Sequence, residues 1–322
     1  MSDVDFLIER RQLKTSRSRW RLMTFVVLGL AVIAVAAVSL GKNEMVDHLP
    51  HVARIDIKGV ITGDKPTLDM IKRVKDSKAK AALVVIDSPG GTVTGSDALY
   101  QALRDLNKTI PVVAVVDGTA ASGGYIAALS SDHIIARRTA IVGSIGVLFQ
   151  YPNVVKLLDT LGIRMEGAKS SPLKAAPNPV EVTTPEAQAA LEAVVQDTFA
   201  WFKELVQERR HMSDEQLKAV ADGRIYTGKQ GLSLQLVDQL GDDQDAFAWL
   251  VAQKGLEKDL KIRRYKPDQS LDRYGLIKGL AFASDLAGLS GLASALRNLD
   301  QDHQAVVLDG LLALWHPEAS AR

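Results

Sequence analysis

Residues 82–91 read ALVVIDSPGG, and residues 111–124 read PVVAVVDGTAASGG. Each stretch begins with a short, continuous apolar run and ends in a pair of glycines. An uninterrupted apolar run of this length is typical of a strand that is buried on both faces of a sheet. Because each run is followed by a turn and then a helical pattern, the two stretches predict an α/β fold with a mainly parallel sheet.

The same alternation of strands and helices extends on both sides of these stretches. Strands are predicted at 52–61, 134–136, 146–149 and 164–167, and helices at 67–80, 96–106 and 126–130. Thr184 followed by Pro185 and Glu186 predicts the start of a long helix that runs to Arg210, with Thr184 as its N-cap.

The composition excludes several classes of protein. A net charge of +1 and an aromatic content of 5% argue against a surface that binds nucleic acid. The chain has no cysteine, which removes disulfides, thiol catalysis and thiolate metal sites. The histidines lack the spacing of a zinc motif such as HExxH, so no metal site is predicted.

The segment 22–41 is a run of 20 residues without a charge, which is the length of a transmembrane helix. Six basic residues precede it, namely Arg10, Arg11, Lys14, Arg17, Arg19 and Arg21. By the positive-inside rule this pattern predicts a single-pass anchor in the inner (cytoplasmic) membrane, with the N-terminus in the cytoplasm and the rest outside. A cleaved signal peptide is the alternative, because residues 34–36 form an A-x-A pattern.

Ser122 follows the second buried run and precedes a predicted helix. The first turn of a helix offers free N–H groups and a positive dipole end, which favour an oxyanion on an acyl group that the serine attacks. The N–H of Gly123 and that of Gly90 or Gly91 could donate to that oxyanion, because parallel neighbouring strands end at one edge of a sheet. The alternative is an ordinary N-cap serine beside packing glycines.

A nucleophilic serine also needs a base. The G-x-S-x-G pattern of the hydrolase triad is absent, and the side chains of Asp132 and His133 would diverge on a strand. A lysine serves as a base when burial lowers its pKa towards neutrality. The residues alone leave Lys169 and Lys174, both in the loop after the last predicted sheet strand, as candidates.

An ordered set of segments resembles the signal peptide peptidase A family over roughly residues 50–255. The set consists of DSPGG at 87–91, AASGGY at 120–125, GSIGV at 143–147, KAAPNP at 174–179, DGRIYTG at 222–228 and LVD at 236–238. The resemblance implies that Ser122 is the nucleophile. In that family the base follows the serine by about fifty residues, which favours Lys174, at 174 − 122 = 52, over Lys169.

The resemblance further implies a spiral of β–β–α units like that of Clp protease and the crotonases, here preceded by one transmembrane helix. It implies a serine endopeptidase without metal or organic cofactor, which cleaves signal-peptide remnants and other apolar peptides at the membrane. Ser144 lies near the site in the family and is a candidate groove residue. The chain carries one copy of the motif set, and single-length members form homo-oligomers in which a neighbouring subunit supplies the lysine, here Lys174.

These expectations give a domain organisation and three alternatives. The segments are a basic N-terminus at 1–21, the anchor at 22–41, a linker at 42–50, the protease domain at 51–265 and a tail at 266–322 that could contact other subunits. The alternatives are a stomatin-cleaving membrane protease with the same Ser/Lys pair, a crotonase-like acyl-CoA enzyme, and a non-catalytic membrane scaffold.

Overall fold

The computed structural model describes residues 49–267 and the backbone of residues 311–314. The strands are His51–Ile61 (β1), Ala79–Thr92 (β2), Val112–Ala121 (β3), His133–Ala136 (β4), Ile141–Gly143 (β5), Leu148–Phe149 (β6), Ile225–Thr227 (β7), Gln239–Leu240 (β8), Ile262–Tyr265 (β9) and Leu311–Leu314 (β10). The helices are Lys65–Asp76 (α1), Val93–Asn107 (α2), Gly123–Ala128 (α3), Val155–Thr160 (α4), Pro185–Arg210 (α5), Asp214–Val220 (α6), Gly228–Ser233 (α7) and Asp243–Lys254 (α8).

A parallel sheet forms the centre of this α/β fold, as the sequence predicted. Its strands run in the order β9–β1–β2–β3–β4–β8, and every neighbouring pair is parallel. The apolar run of β2 is buried on both faces: Val84 and Ile86 join one hydrophobic cluster, whereas Leu83 and Val85 join another. The alternation of side chains along a strand explains why the sequence shows a continuous apolar run here.

Strands β2 and β3 continue beyond this sheet through the small residues that follow their apolar runs. The β2–β3 register shifts between Ile86 and Ser88, after which Gly90–Thr92 pair with β10 and Thr119–Ala121 pair with β5. The prediction that residues 87–91 break the strand was therefore wrong. Small residues still form ladders when distant segments supply partners, and no local pattern reveals those partners.

The structure also differs from the prediction outside the ends of β2 and β3. Helix α1 ends at Asp76, not at residue 80, because β2 already begins at Ala79. The strand predicted at 164–167 is an exposed loop, and β5 was not predicted. The start of α5 is confirmed, since the Thr184 side chain accepts a hydrogen bond from the Ala187 N–H.

The predicted anchor at 22–41 lies outside the described residues. Within residues 49–267, none of the helices combines the length and the apolar character that a membrane crossing requires.

Candidate active site

Ser122 links the end of β3 to the start of α3 in a strained backbone conformation. Its φ is 53° and its ψ is −116°, a region that a residue with a Cβ enters at a cost of about 1–3 kcal/mol. The structure holds it there: the Ser122 N–H donates to the Gly143 carbonyl at 2.8 Å, and the Ser122 carbonyl accepts from Tyr125 and Ile126 at 2.9 and 3.0 Å. Such strain is concentrated at functional sites in proteins.

The hydroxyl group of Ser122 makes almost no structural hydrogen bonds. Its Oγ has one hydrogen-bond partner within the described residues, the Gly146 carbonyl at 3.5 Å, and it makes no capping bond to α3. Ser122 is thus the N-cap residue of α3 by position but lacks the side-chain bond of an ordinary capping serine. A residue that is only 1% exposed but has a weakly bonded hydroxyl is suited to attack a group placed beside it.

Tyr125 fixes the helix that follows the serine. The side chain is fully buried, and its hydroxyl donates to the Leu236 carbonyl at 2.8 Å. Burial raises the pKa of the Tyr125 phenol, so the group stays protonated and remains a donor. This bond ties the first turn of α3 to the segment 236–238, which the sequence analysis had noted without assigning it a role.

The loop at the end of β2 packs directly against the first turn of α3. A Cβ added at Gly124 would lie 2.6 Å from the Ser88 carbonyl oxygen, so only glycine permits this approach. The Ser88 hydroxyl donates to the Gly59 carbonyl at 2.6 Å and accepts from the Gly90 N–H at 3.1 Å. The structure thus brings the two glycine-containing loops together, as expected for strands that end at one sheet edge.

The candidate oxyanion donors differ in their present bonding. The Gly90 N–H is already engaged by Ser88, and Gly91 is in register with Ala313 of β10. The N–H of Gly123 is in the first turn of α3, where no intrahelical acceptor exists, and none is found among the described residues.

Ser144 is beside Ser122, within the segment 143–146. Its φ is 51°, it is 8% exposed, and its N–H donates to the Arg224 carbonyl at 2.8 Å. The same segment provides both carbonyls that contact Ser122, from Gly143 and Gly146. The sequence analysis named Ser144 as a candidate but assigned no role to Gly143 and Gly146. Both glycines contact Ser122 through their backbone carbonyls, and the identity of a residue does not reveal such contacts.

The two candidate bases have different surroundings. Lys169 is ion-paired with Glu181, whose pKa is lowered by that hydrogen bond and by another from Asn178. Lys174 is exposed, and its amine makes no hydrogen bond or ion pair within the described residues. Lys169 is therefore already paired with a carboxylate in the single chain, whereas Lys174 is not.

The loop that carries Lys174 is ordered by Asn178. Its side-chain amide donates to the Ala175 carbonyl at 3.0 Å and to Glu181 at 2.7 Å, and its oxygen accepts from the Val180 N–H at 3.0 Å. Ala175, next to Lys174, has a φ of 58°. The asparagine had been quoted in the KAAPNP motif without a role. The structure does not bring Lys174 into contact with Ser122 in the single chain.

The histidine alternative gains no support. His133 stacks on Trp249 at 4.5 Å between ring centroids and faces Asp238 at 3.7 Å, while Asp132 accepts from Asn107. Neither side chain contacts Ser122. Among the described residues, no group of three His, Asp or Glu side chains could hold a metal ion.

Comparisons with known protein sequences agree with a protease assignment. Residues 104–257 match Peptidase family S49. The Synechocystis sp. protein titled "Putative protease" is 40% identical over 65% of this chain and 76% of its own length. An Enterococcus faecium protein titled "Putative signal peptide peptidase SppA" is 34% identical over 62% of this chain and 59% of its own. A solved mutant of the 1510-N membrane-bound stomatin-specific protease is 18% identical, with a TM-score of 0.43 over 68% of this chain and 99% of its own.

Proposed function

The chain belongs to peptidase family S49, and from that premise we propose that it is a serine endopeptidase in which Ser122 is the nucleophile and Lys174 is the base. The observation that carries this proposal is the strained backbone of a buried serine whose hydroxyl has only a 3.5 Å contact. Family membership favours this reading over the acyl-CoA enzyme and the scaffold.

The proposed reaction proceeds in two halves. The Lys174 amine takes the Ser122 hydroxyl proton while Oγ bonds to the peptide carbonyl carbon, and the oxygen becomes an oxyanion. The N–H of Gly123, with that of Gly90 or Gly91, stabilises this charge. The C–N bond then breaks, the leaving amine takes the proton from Lys174, and an acyl-enzyme remains. Water attacks the ester, gives a proton to Lys174, and the acid product leaves as the proton returns to Ser122.

We also propose that Lys174 acts on Ser122 of a neighbouring subunit. An exposed lysine is charged in water and has no proton-accepting lone pair, so a second surface must desolvate it. The segment that carries Lys174 has the apolar exposure of an interaction surface. Its exposed large apolar side chains are Leu157, Leu161, Ile163, Met165, Leu173, Val182 and Val194.

A set of three single variants tests the Ser/Lys pair. Ser122→Ala and Lys174→Ala should each lower the kcat for an apolar peptide by at least about 10³-fold, because each removes one partner of the proton transfer. Lys169→Ala is the matched control and should keep most of the wild-type rate. Thermal unfolding monitored by circular dichroism shows whether the variants fold. A Lys174→Ala chain with near wild-type turnover would reject Lys174 as the base.

The proposed location rests on the N-terminal sequence, and the proposed substrate class rests on the family resemblance. We propose that residues 22–41 anchor the chain in the inner membrane and that the catalytic domain is extracytoplasmic. A tethered peptidase meets apolar peptides at the bilayer surface at a raised effective concentration, which fits signal-peptide remnants as substrates. The basic residues before the apolar run support this orientation.

The lack of native cysteine makes the orientation easy to test with single thiols. A membrane-impermeant maleimide added to intact cells should label Lys218→Cys, whose position is exposed, but not Ser2→Cys. Both should react after the cells are lysed. Labelling of Ser2→Cys alone in intact cells would reverse the proposed topology.

We assign the fold to the Clp protease and crotonase-like spiral of β–β–α units. Support comes from β1, β2 and β3: the β1–β2 and β2–β3 registers each shift part-way, and the ends of β2 and β3 then meet new partner strands. A crystal structure in which these strands run straight through a single sheet would contradict the assignment.

A further inference from the structure

The carbonyl groups at the C-terminal end of α3 are bound by arginine side chains from two other helices. Arg209, in the last turn of α5, donates from Nε to the Leu129 carbonyl at 2.8 Å and from Nη2 to the Ser131 carbonyl at 2.9 Å. Arg104 of α2 donates from Nη1 to the Ser130 carbonyl between them at 3.1 Å. Two guanidinium groups thus hold three consecutive carbonyls, and these contacts are here called the arginine clamp.

The hydrogen bonds of the clamp go to carbonyls and not to carboxylates. Burial and the nearby charge of Arg104 lower the pKa of the Arg209 guanidinium; the charges of Asp132 and Glu208 oppose this shift, but neither carboxylate accepts a hydrogen bond from it. Two like charges near each other cost free energy. Cations are stabilised by the negative end of a helix dipole, so the end of α3 offsets part of that cost. Both arginines therefore direct their favourable interactions onto α3.

The helix that carries Arg209 is a firm support, whereas α3 depends on its surroundings. In the C-terminal part of α5, Phe202 and Val206 are fully buried in the core. Helix α3 has six residues, which is too short for its own backbone bonds to stabilise it. Contacts of Gly124 and Tyr125 hold its first turn. The clamp supplies matching contacts at its other end.

We propose that Arg209 is a positioning residue for the peptidase reaction and acts on Ser122 and Gly123 through α3. This inference rests on the proposed function. Ser122 and the Gly123 N–H are at the start of α3, and the clamp is at its end, roughly 9 Å further along the helix axis. A helix this short moves as one body, so a shift at its end also displaces its start. Displacing a reacting group by about 1 Å lowers the rate by up to about 10²-fold.

Substitutions of Arg209 in the full-length chain test this role. Arg209→Met keeps the length of the side chain but removes its charge and donors, and it should lower kcat for an apolar peptide at least about tenfold with KM unchanged. Arg209→Lys keeps the charge without the forked donors, so kcat should recover to about threefold below wild type. Arg54→Met is the matched control, because this partly buried arginine bonds Asp56 and Asp243 instead, and its kcat should equal that of wild type. A wild-type kcat in Arg209→Met would overturn the inference.

A hydrogen-exchange measurement separates this inference from the proposed function, because it needs no activity. Amide exchange of residues 123–131, followed by mass spectrometry, should be about tenfold faster in Arg209→Met than in the wild-type chain and unchanged in Arg54→Met. Equal exchange in all three chains would overturn the positioning role. Faster exchange in Arg209→Met, with no peptide hydrolysis by the wild-type chain, would overturn the peptidase function alone. If Arg209→Met does not fold, Arg209→Lys carries the test, and a wild-type kcat in that variant would overturn the inference.

Discussion

The two residues of the proposed pair belong to regions with opposite packing. Ser122 is held in the sheet region by backbone bonds on both sides and is 1% exposed. Lys174 belongs to residues 150–200, here called the arm, in which Ala187 is the only buried residue. The single chain therefore holds the proposed nucleophile in place but leaves the proposed base in solvent.

This difference indicates what the single chain lacks. A serine in a strained turn gains its orientation from the fold of its own chain, whereas a lysine becomes a base only where its charge is desolvated. The apolar side chains exposed on the arm provide a surface that another copy could cover. Substitutions that probe packing should therefore lower the free energy of unfolding strongly in the sheet region and little in the arm.

The largest contrast is expected between two glycines. A Cβ at Gly91 would lie 1.8 Å from the Ile61 carbonyl oxygen, whereas a Cβ at Gly167 in the arm meets nothing within 4 Å. Gly91→Ala should lower the free energy of unfolding by more than about 3 kcal/mol, because backbone must move. Gly167→Ala should change it by less than about 0.5 kcal/mol. Urea denaturation measures the free energy of unfolding of both variants. An unchanged value for Gly91→Ala would show that the backbone around Ile61 moves more easily than its close packing suggests.

A smaller contrast is expected between two valines of the same helix. Val206 in the C-terminal part of α5 is fully buried, whereas Val194 in its arm part is 49% exposed. Val206→Ala should cost about 2 kcal/mol of unfolding free energy, and Val194→Ala should cost almost nothing. Equal losses in urea denaturation at low protein concentration would mean that the arm packs as firmly as the sheet region.

The smallest contrast concerns two ion pairs. Burial alone would raise the pKa of Asp238, but the hydrogen bonds and charge of Arg210 and the Ile134 N–H outweigh it, and the pKa is lowered. A carboxylate with a lowered pKa stabilises the fold above its unfolded-state pKa, about 3.9, and loses this effect as the pH falls through the folded value. Asp238→Asn should therefore cost about 1–2 kcal/mol at pH 7, and the difference should shrink below about pH 4.

The arm supplies the control for that measurement. Glu181, paired with Lys169, also has a lowered pKa but is on the surface. Glu181→Gln should leave the unfolding free energy unchanged across the same pH range, since exposed pairs are screened by solvent. A pH-dependent loss in Glu181→Gln as large as that in Asp238→Asn would remove the distinction between the regions.

The sequence predicted the parts of the fold and site that local patterns encode. Continuous apolar runs identified β2 and β3, and the Thr184 cap identified the start of α5. The continuation of β2 through Gly91 was missed because it depends on partners in other segments: Ile61 of β1 on one side and Ala313 of β10, more than two hundred residues away, on the other. Patterns along the chain report burial and turns, but not which distant edges meet.

The candidate site likewise combines features that the sequence predicted with features that only the structure reveals. The position after the second buried run pointed to Ser122, and the family resemblance then favoured Lys174 over Lys169 and added Ser144 as a site candidate. The left-handed backbone of Ser122 and the ion pair that occupies Lys169 became visible only in three dimensions. Both features depend on atoms from separate segments, namely the Gly143 carbonyl and the Glu181 carboxylate.

The supply of Lys174 by a neighbouring subunit is tested most directly by subunit mixing. Ser122→Ala and Lys174→Ala chains, each inactive alone, are co-expressed so that they assemble together. In a random mixture, about one quarter of the sites combine an intact Ser122 with an intact Lys174 from the adjacent copy. The account predicts that activity returns to about one quarter of the wild-type rate. A mixture no more active than its separate components would contradict it.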